Sequence, residues 1–226
     1  MKIIKKKPIL FNHINPIVSI ITVVFNNAEF IERAIKSVLS QRYPSIEYII
    51  IDGGSTDESI NIINKYQDQI YFFVSEKDNG IYDALNKGIR NSTGSVIGVL
   101  HSDDIFFDDY SVSNIINNMV KTNSEFCFSN IVITNRSMDR VIRYYQIGYF
   151  KRWMFRLGLM PPHPSCFIKK TLFDEFGLYS TRYLIAGDFD FMVRIFYGRD
   201  IKWSYLSQIS VKMMTGGLSN SNISNK

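Results

Sequence analysis

Through residues 17–120, short apolar runs of strand length alternate with segments whose apolar residues recur at helical spacing. The first run, residues 17–24, is β-branched and ends at Asn26-Asn27. Over residues 29–40, Ile31, Ala34, Ile35, Val38 and Leu39 fall on one helical face, which needs cover. Pro44 breaks the chain, residues 46–51 read as a second buried strand, and Gly53-Gly54-Ser55-Thr56-Asp57 opens a helix around residues 59–66. Strands over 70–74 and 95–100, a helix over 81–91, and a helix marked by Val112, Ile115, Ile116, Met119 and Val120 continue the series. Strands this apolar are covered on both faces, and their alternation with helices makes them parallel neighbours. The prediction is an α/β fold, a mostly parallel sheet flanked by helices. Such sheets bind ligands beyond the carboxyl ends of their strands.

After residue 125 the pattern changes. Residues 126–134 and 141–145 read as an antiparallel pair, and a basic aromatic segment, 151–159, precedes Pro161-Pro162-His163-Pro164. Phe189, Met192, Val193 and Phe196 mark a helix over 188–197, and residues 219–226 form a polar tail. No linker or repeat divides the chain, so one domain in two halves is expected, residues 17–125 and 126–218. The 46% hydrophobic and 21% charged content suits a soluble globular protein. No apolar run approaches the ~20 residues that span a bilayer, and the basic leader is too short for a signal peptide. A cytoplasmic chain follows, with Cys127 and Cys166 as buried free thiols. A net charge of +5 suits phosphate-bearing ligands or an anionic membrane face. The chain carries no helix-turn-helix, zinc-finger or RNP pattern, and no nucleic-acid partner is expected.

Three acidic motifs carry the chemistry. Asp52-Gly53-Gly54-Ser55-Thr56-Asp57 puts a carboxylate at a strand end with backbone room beside it. It can accept hydrogen bonds from a base or ribose, or form a capped βα loop. Ser102-Asp103-Asp104 follows a buried strand. Adjacent acids there are costly unless a cation neutralises them, and a divalent metal shared with substrate phosphates would do so. Solvated loop acids are the plainer alternative. Gly187-Asp188-Phe189-Asp190 opens a helix, where acids are favoured anyway. His163, between prolines, reads as a phosphate or acceptor contact or as a structural histidine. Gly216-Gly217-Leu218-Ser219 reads as a tail or as a loop closing over a diphosphate. The 151–159 segment suits a membrane surface or an ordinary packed helix.

In this order, the motifs resemble those of family 2 glycosyltransferases, especially small bacterial enzymes of surface-polysaccharide assembly. The likeness runs from about Ser19 to Ser219. It is carried by Ile51 to Asp57, by Ser75-Glu76-Lys77-Asp78-Asn79-Gly80-Ile81-Tyr82-Asp83-Ala84-Leu85-Asn86-Lys87-Gly88, by Ser102-Asp103-Asp104, and by the Pro161 and Gly216 motifs. The resemblance implies a GT-A fold and a non-processive, inverting transfer from a nucleotide-sugar, most often a UDP-sugar. It puts Val24, Asn26, Asp52, Ser55, Asp83, Asn86 and Asp103 around that donor, with Asp52 on the uracil. Asp104, with Asp103, would hold Mn²⁺ or Mg²⁺, and Asp188 would be the catalytic base. The implied acceptor is a saccharide or lipid-linked oligosaccharide at the inner face of the membrane. Residues 17–125 become the donor half and 126–218 the acceptor half. Two departures are visible: His101 stands where many relatives carry the first acid of the metal motif, and Gly187 where many carry glutamate. Tyr149-Phe150-Lys151-Arg152-Trp153 lacks the glutamine of the processive synthases.

Two other classes meet part of the pattern. A nucleotidyltransferase would carry a Gly-rich basic loop after its first strand, where this chain has Phe25-Asn26-Asn27-Ala28-Glu29. A non-catalytic nucleotide-sugar-binding subunit would have little use for Asp52, Asp103, Asp104 and Asp188 together.

Overall fold

The structure, a computed structural model, describes residues 2–5 and 15–216. Gly217 and the 219–226 tail lie outside the described residues. The elements run β1 (Lys2–Lys5), β2 (Val18–Val24), α1 (Ile31–Leu39), β3 (Ile46–Asp52), α2 (Ser59–Asn64), β4 (Phe72–Ser75), α3 (Ile81–Asn91) and β5 (Val96–Val99). They continue with β6 (Ile105–Phe106), α4 (Ser111–Thr122), β7 (Phe126–Thr134), β8 (Val141–Tyr145), β9 (Phe167–Lys169), α5 (Lys170–Phe176), α6 (Gly187–Gly198) and β10 (Trp203–Met214). The strands form one sheet in the order β1-β4-β3-β2-β5-β9-β7-β10-β6, with β8 on the side of β7. The longest ladders, β2 with β3 and β7 with β10, are parallel. The antiparallel pairings, including the expected β7–β8 pair, are shorter.

Every residue of β2 is buried. Its side chains alternate between two cores, as period-2 geometry requires. Ile21 and Val23 join α3, α5 and α6 on one face, while Ile20 and Val24 join α1 and α4 on the other. The first core continues into the second half through Phe126, Phe128, Phe191 and Phe196. Phe173 stacks on Phe191 at 4.5 Å, and Phe126 meets Phe196 edge-on at 5.2 Å. The buried carboxylate of Glu47 is held by Ser19 Oγ at 2.7 Å and the Thr93 N–H at 2.9 Å, which fastens β2, β3 and the approach to β5.

Three short strands and one long one escape the sequence pattern. β1, β6 and β9 are 4, 2 and 3 residues long, below the length at which periodicity reads. β10 is 12 residues long, but register shifts between Leu206 and Val211 break its alternation. Two of its inward positions are serines: Ser204 bonds Asn118 and Ser124, and Ser210 bonds Ser129. Cys127 and Cys166 are buried and free. Among the described residues, no helix is long and apolar enough to cross a membrane.

Candidate functional site

The loops after β2, β3 and β5 meet at the carboxyl edge of the sheet and are bonded to one another. The Asn26 N–H donates to Ser55 Oγ at 2.8 Å, and Asn26 Oδ1 accepts the Thr56 N–H at 2.8 Å. Asn26 reaches this position with φ +47°, a left-handed conformation that asparagine tolerates. The Ala28 N–H donates to Asp57 Oδ2 at 2.9 Å, and Asn27 Nδ2 donates to Ser102 Oγ at 2.7 Å. The Val24 carbonyl accepts the Gly53 N–H at 2.9 Å. Val24, Asn26, Asp52, Ser55 and the Ser102-Asp103-Asp104 turn thus belong to one connected edge.

Asp52 lies at its floor, fully buried. Its Oδ2 accepts the Gly54 and Ser55 N–H groups, at 3.0 and 2.9 Å, and the Ser75 hydroxyl at 2.6 Å. Gly54 turns the chain at φ +85°, a conformation glycine adopts freely. Among the described residues, Oδ1 of Asp52 is buried with no partner. A buried carboxylate oxygen without a donor is costly, so this atom is a ready acceptor for a ligand N–H or O–H.

Asp104 is also buried. Its Oδ1 accepts the Met214 N–H at 3.1 Å. Burial, reinforced by the Asp103 charge, pushes its carboxyl well above the ordinary range. Asp103 is half-buried and takes no hydrogen bond among the described residues. Among those residues, no group of three or more His, Cys, Asp or Glu could hold a metal ion. Two adjacent acids are too few for a closed site, but they suit a hard cation that draws its remaining ligands from phosphate and water.

Asp188 lies in the first turn of α6. Its Oδ1 accepts the Tyr82 hydroxyl at 3.0 Å, a contact bridging 106 residues of sequence. A Cβ at Gly187 would lie 2.8 Å from the Tyr82 ring, so only glycine allows the helix to start this close. Ala186, just before it, has φ +72°, a strained conformation for an alanine. Burial, with the Asp188 charge adding to it, pushes the Tyr82 phenol up to about 12. Burial lowers His101, opposed by the charges of Asp103 and then Asp188. Burial also pushes His163 down to about 4, against the pull of Asp188. Its Nε2 pairs with the Tyr179 hydroxyl at 2.9 Å, and its ring centre lies 6.0 Å from that of His101. Asp188 is thus bonded by a phenol, and its charge acts on two imidazoles that burial keeps neutral.

Two residues of α3 are placed differently. The Asp83 carboxylate caps its own helix start by accepting the Asn79 N–H at 3.0 Å, and lies 3.5 Å from Lys87. Both polar ends of Asn86 are bound to the backbone of Tyr179, at 2.8 and 3.0 Å, so its side chain ties α3 to the segment after α5. Tyr82, Tyr179, Ser75 and Asn27 carry site contacts that sequence reasoning does not assign. Tyr82 and Ser75 lie inside a motif already singled out, but nothing in the sequence pairs Tyr82 with an acid so far along the chain.

Comparison with known proteins bears on the family and the fold. Residues 19–177 match the profile described as Glycosyl transferase family 2. An uncharacterized glycosyltransferase of Mycobacterium tuberculosis is 32% identical over 185 residues, covering 79% of this chain and 68% of the relative. A PGL/p-HBAD biosynthesis glycosyltransferase of the same species is 25% identical over 210 residues, covering 91% of this chain and 80% of the relative. Among solved structures, S. aureus TarS 1-349 in complex with UDP-GlcNAc superposes with a TM-score of 0.73 at 16% identity, over 88% of this chain. The mannosyltransferase PcManGT from Pyrobaculum calidifontis, in complex with GDP-Man and Mn²⁺, superposes with a TM-score of 0.67 at 17% identity, over 91% of this chain. This chain spans 59% and 60% of the length of those two structures. The likeness establishes a GT-A fold.

Proposed function

The chain belongs to glycosyl transferase family 2 and is a glycosyltransferase, and from that premise we propose an inverting, non-processive transfer of one sugar from a UDP-sugar to an acceptor hydroxyl. The reading extends to bacterial surface-polysaccharide assembly, with a saccharide or lipid-linked oligosaccharide as acceptor at the cytoplasmic face of the membrane. Residues 17–125 hold the donor and 126–218 face the acceptor.

The observation that carries the reading is the contact between the Tyr82 hydroxyl and Asp188, which joins the start of α6 to the motif that opens α3. His101, directly before Ser102-Asp103-Asp104, feels the charges of both Asp103 and Asp188. In this reading Asp188 takes the proton of the acceptor hydroxyl as that oxygen bonds the anomeric carbon. The bond from that carbon to the diphosphate oxygen breaks, and its electron pair leaves with the nucleotide. Attack from the face opposite the leaving group inverts the centre. Mn²⁺ or Mg²⁺, bound by Asp104 and Asp103, would neutralise charge on the departing diphosphate. Asp52 Oδ1, the unpartnered acceptor, would receive the uracil N–H, with Val24, Asn26 and Ser55 shaping the pocket around it. Asp83 and Asn86 act in this reading by setting α3 and its Tyr82 against Asp188. UDP-GlcNAc in TarS supports a UDP-sugar, and Mn²⁺ in PcManGT supports the metal.

The test is Asp188→Asn, assayed for transfer and for nucleotide binding. Transfer should fall by about 10²- to 10⁴-fold, the usual contribution of a general base, with UDP affinity kept. Loss of both together would overturn the assignment. In a thermal melt, UDP with Mn²⁺ at ~100 times its dissociation constant should stabilise the wild-type chain by about 2.7 kcal/mol. No response to UDP, GDP, CMP or dTDP would favour a different activity.

A further inference from the structure

The residues that open α1 and the turn between β7 and β8 border an open cleft of about 540 Å³, lined by Glu29, Phe30, Arg33, Asn135, Arg136 and Ser137. A volume of this order is that of a small-ligand site. Both walls lead back to the Ser102-Asp103-Asp104 turn. Two residues before Glu29, Asn27 Nδ2 donates to Ser102 Oγ at 2.7 Å. Directly before Asn135, Thr134 pairs with Met214 in the β7–β10 ladder, and the Met214 N–H donates to Asp104 Oδ1 at 3.1 Å.

Of the three charged groups that line the cleft, one lacks a counter-charge. Arg136 grips Glu29 through Nε, at 2.8 Å, and through Nη2. The neighbouring acids are also occupied: Asp139 accepts from Asn135 Nδ2 and Ser137 Oγ at 2.7 and 2.8 Å, and Glu32 from Tyr66 at 2.7 Å with Lys36 at 3.5 Å. Arg33 has no carboxylate among the described residues. Its Nη1 and Nη2 share one acceptor, the Arg136 carbonyl, at 3.2 Å, and its Nε–H is buried with none. The Phe30 ring orders the pair, with its centre 4.7 Å from the Arg33 guanidinium carbon and 5.1 Å from that of Arg136. A guanidinium presents five donors in one plane, a fork that matches the oxygens of a carboxylate or phosphate. An oxyanion here would balance the surplus charge and give the unused N–H groups acceptors.

We propose that this cleft is a subsite for an acidic sugar of the acceptor, one bearing a uronate carboxylate or a phosphate ester, and that Arg33 selects it. Arg33 binds the charged group, Arg136 with Glu29 holds the fork in place, and Asn135 and Ser137 offer an amide and a hydroxyl to the sugar ring. The assignment to the acceptor rests on the transferase reading: Asn26, Asn27 and Ala28 are bonded to Ser55, Thr56, Ser59, Asp57 and Ser102, so the donor loop turns its own polar groups inwards and the cleft lies beyond it.

The experiment is an NMR titration of the full chain with glucuronate, glucose 6-phosphate, glucose and inorganic phosphate, each with and without saturating UDP and Mn²⁺. At least one of the two acidic sugars should bind about tenfold or more tighter than glucose, the value of one hydrogen bond to a charged group, and the tighter of them identifies the oxyanion. UDP should not displace it. Arg33→Gln should bring its affinity down to that of glucose, and Arg33→Lys, which keeps the charge without the fork, should recover only part. Retained UDP-dependent thermal stabilisation shows that both variants fold. Equal affinity for glucose, or an acidic-sugar affinity untouched by Arg33→Gln, overturns the proposal. Displacement by UDP overturns it by assigning the cleft to the donor, and inorganic phosphate binding as tightly as the better acidic sugar overturns it by making the cleft an ion site. Failure of the wild-type chain to bind any nucleotide would overturn the transferase reading instead, leaving the Arg33 result to stand separately.

Discussion

Asp52 and Asp188 are both carboxylates near the same edge, and their surroundings suit them to different work. Asp52 is anchored through one oxygen by three donors, and its other oxygen is buried with none among the described residues. That arrangement positions an acceptor rigidly and suits recognition. Asp52→Asn should weaken UDP binding about tenfold or more, the value of one hydrogen bond to a charged group, and calorimetric titration would show it. An unchanged affinity would remove Asp52 from the uracil. Asp188 is only half-buried and is held by a single phenol. Tyr82→Phe removes that donor and should slow transfer about ten- to a hundredfold at unchanged UDP affinity. Parallel losses in rate and affinity would mean that Tyr82 shapes the donor pocket rather than the base.

Among the elements, α3 bears on the site from two directions. Tyr82 in its first turn reaches Asp188, and Asn86 one turn later clamps Tyr179, whose hydroxyl holds His163. Asn86→Ala would leave a buried N–H and carbonyl unpaired, which costs about 2–4 kcal/mol; urea unfolding should show the loss. If Asn86 instead touched the donor, stability would hold and UDP affinity would fall. Much of this architecture was legible beforehand. β2, β3, α1 and α4 announce themselves because burial on two faces, or on one helical stripe, leaves a periodic trace. β10 leaves none, since its bulge breaks the alternation and buried serines replace apolar residues at Ser204 and Ser210. The local half of the candidate site was equally readable as acids at strand ends, because Asp52 closes β3 and Asp103 and Asp104 come soon after β5. The partners of Asp188 were not, because they come from α3 and from loops far away in sequence.

At the scale of the whole molecule, the closed core also sets a pH limit. His163 is neutral in the fold, with burial lowering it to about 4 from an ordinary 6.5 despite the Asp188 charge, and with His101 and Tyr179 against it. Its folded value is depressed, so the unfolded chain takes up a proton first as pH falls. Stability should be fully present above pH 6.5 and decline towards pH 4, by roughly 3 kcal/mol from this residue. His163→Gln should flatten that decline in thermal melts taken across the window; an unchanged slope would place the titration elsewhere. The amino-acid sequence by itself determined the α/β class, the order of the elements from β2 to α4 and the acids at the strand ends. Those follow from hydrophobic periodicity and short-range turn chemistry, which act between neighbours along the chain. Only the tertiary structure decided that Tyr82 meets Asp188, that Asn86 is bound to Tyr179, and that the Tyr179 hydroxyl meets His163. These are contacts between distant segments, set by how the helices pack on the sheet, and no local pattern encodes them.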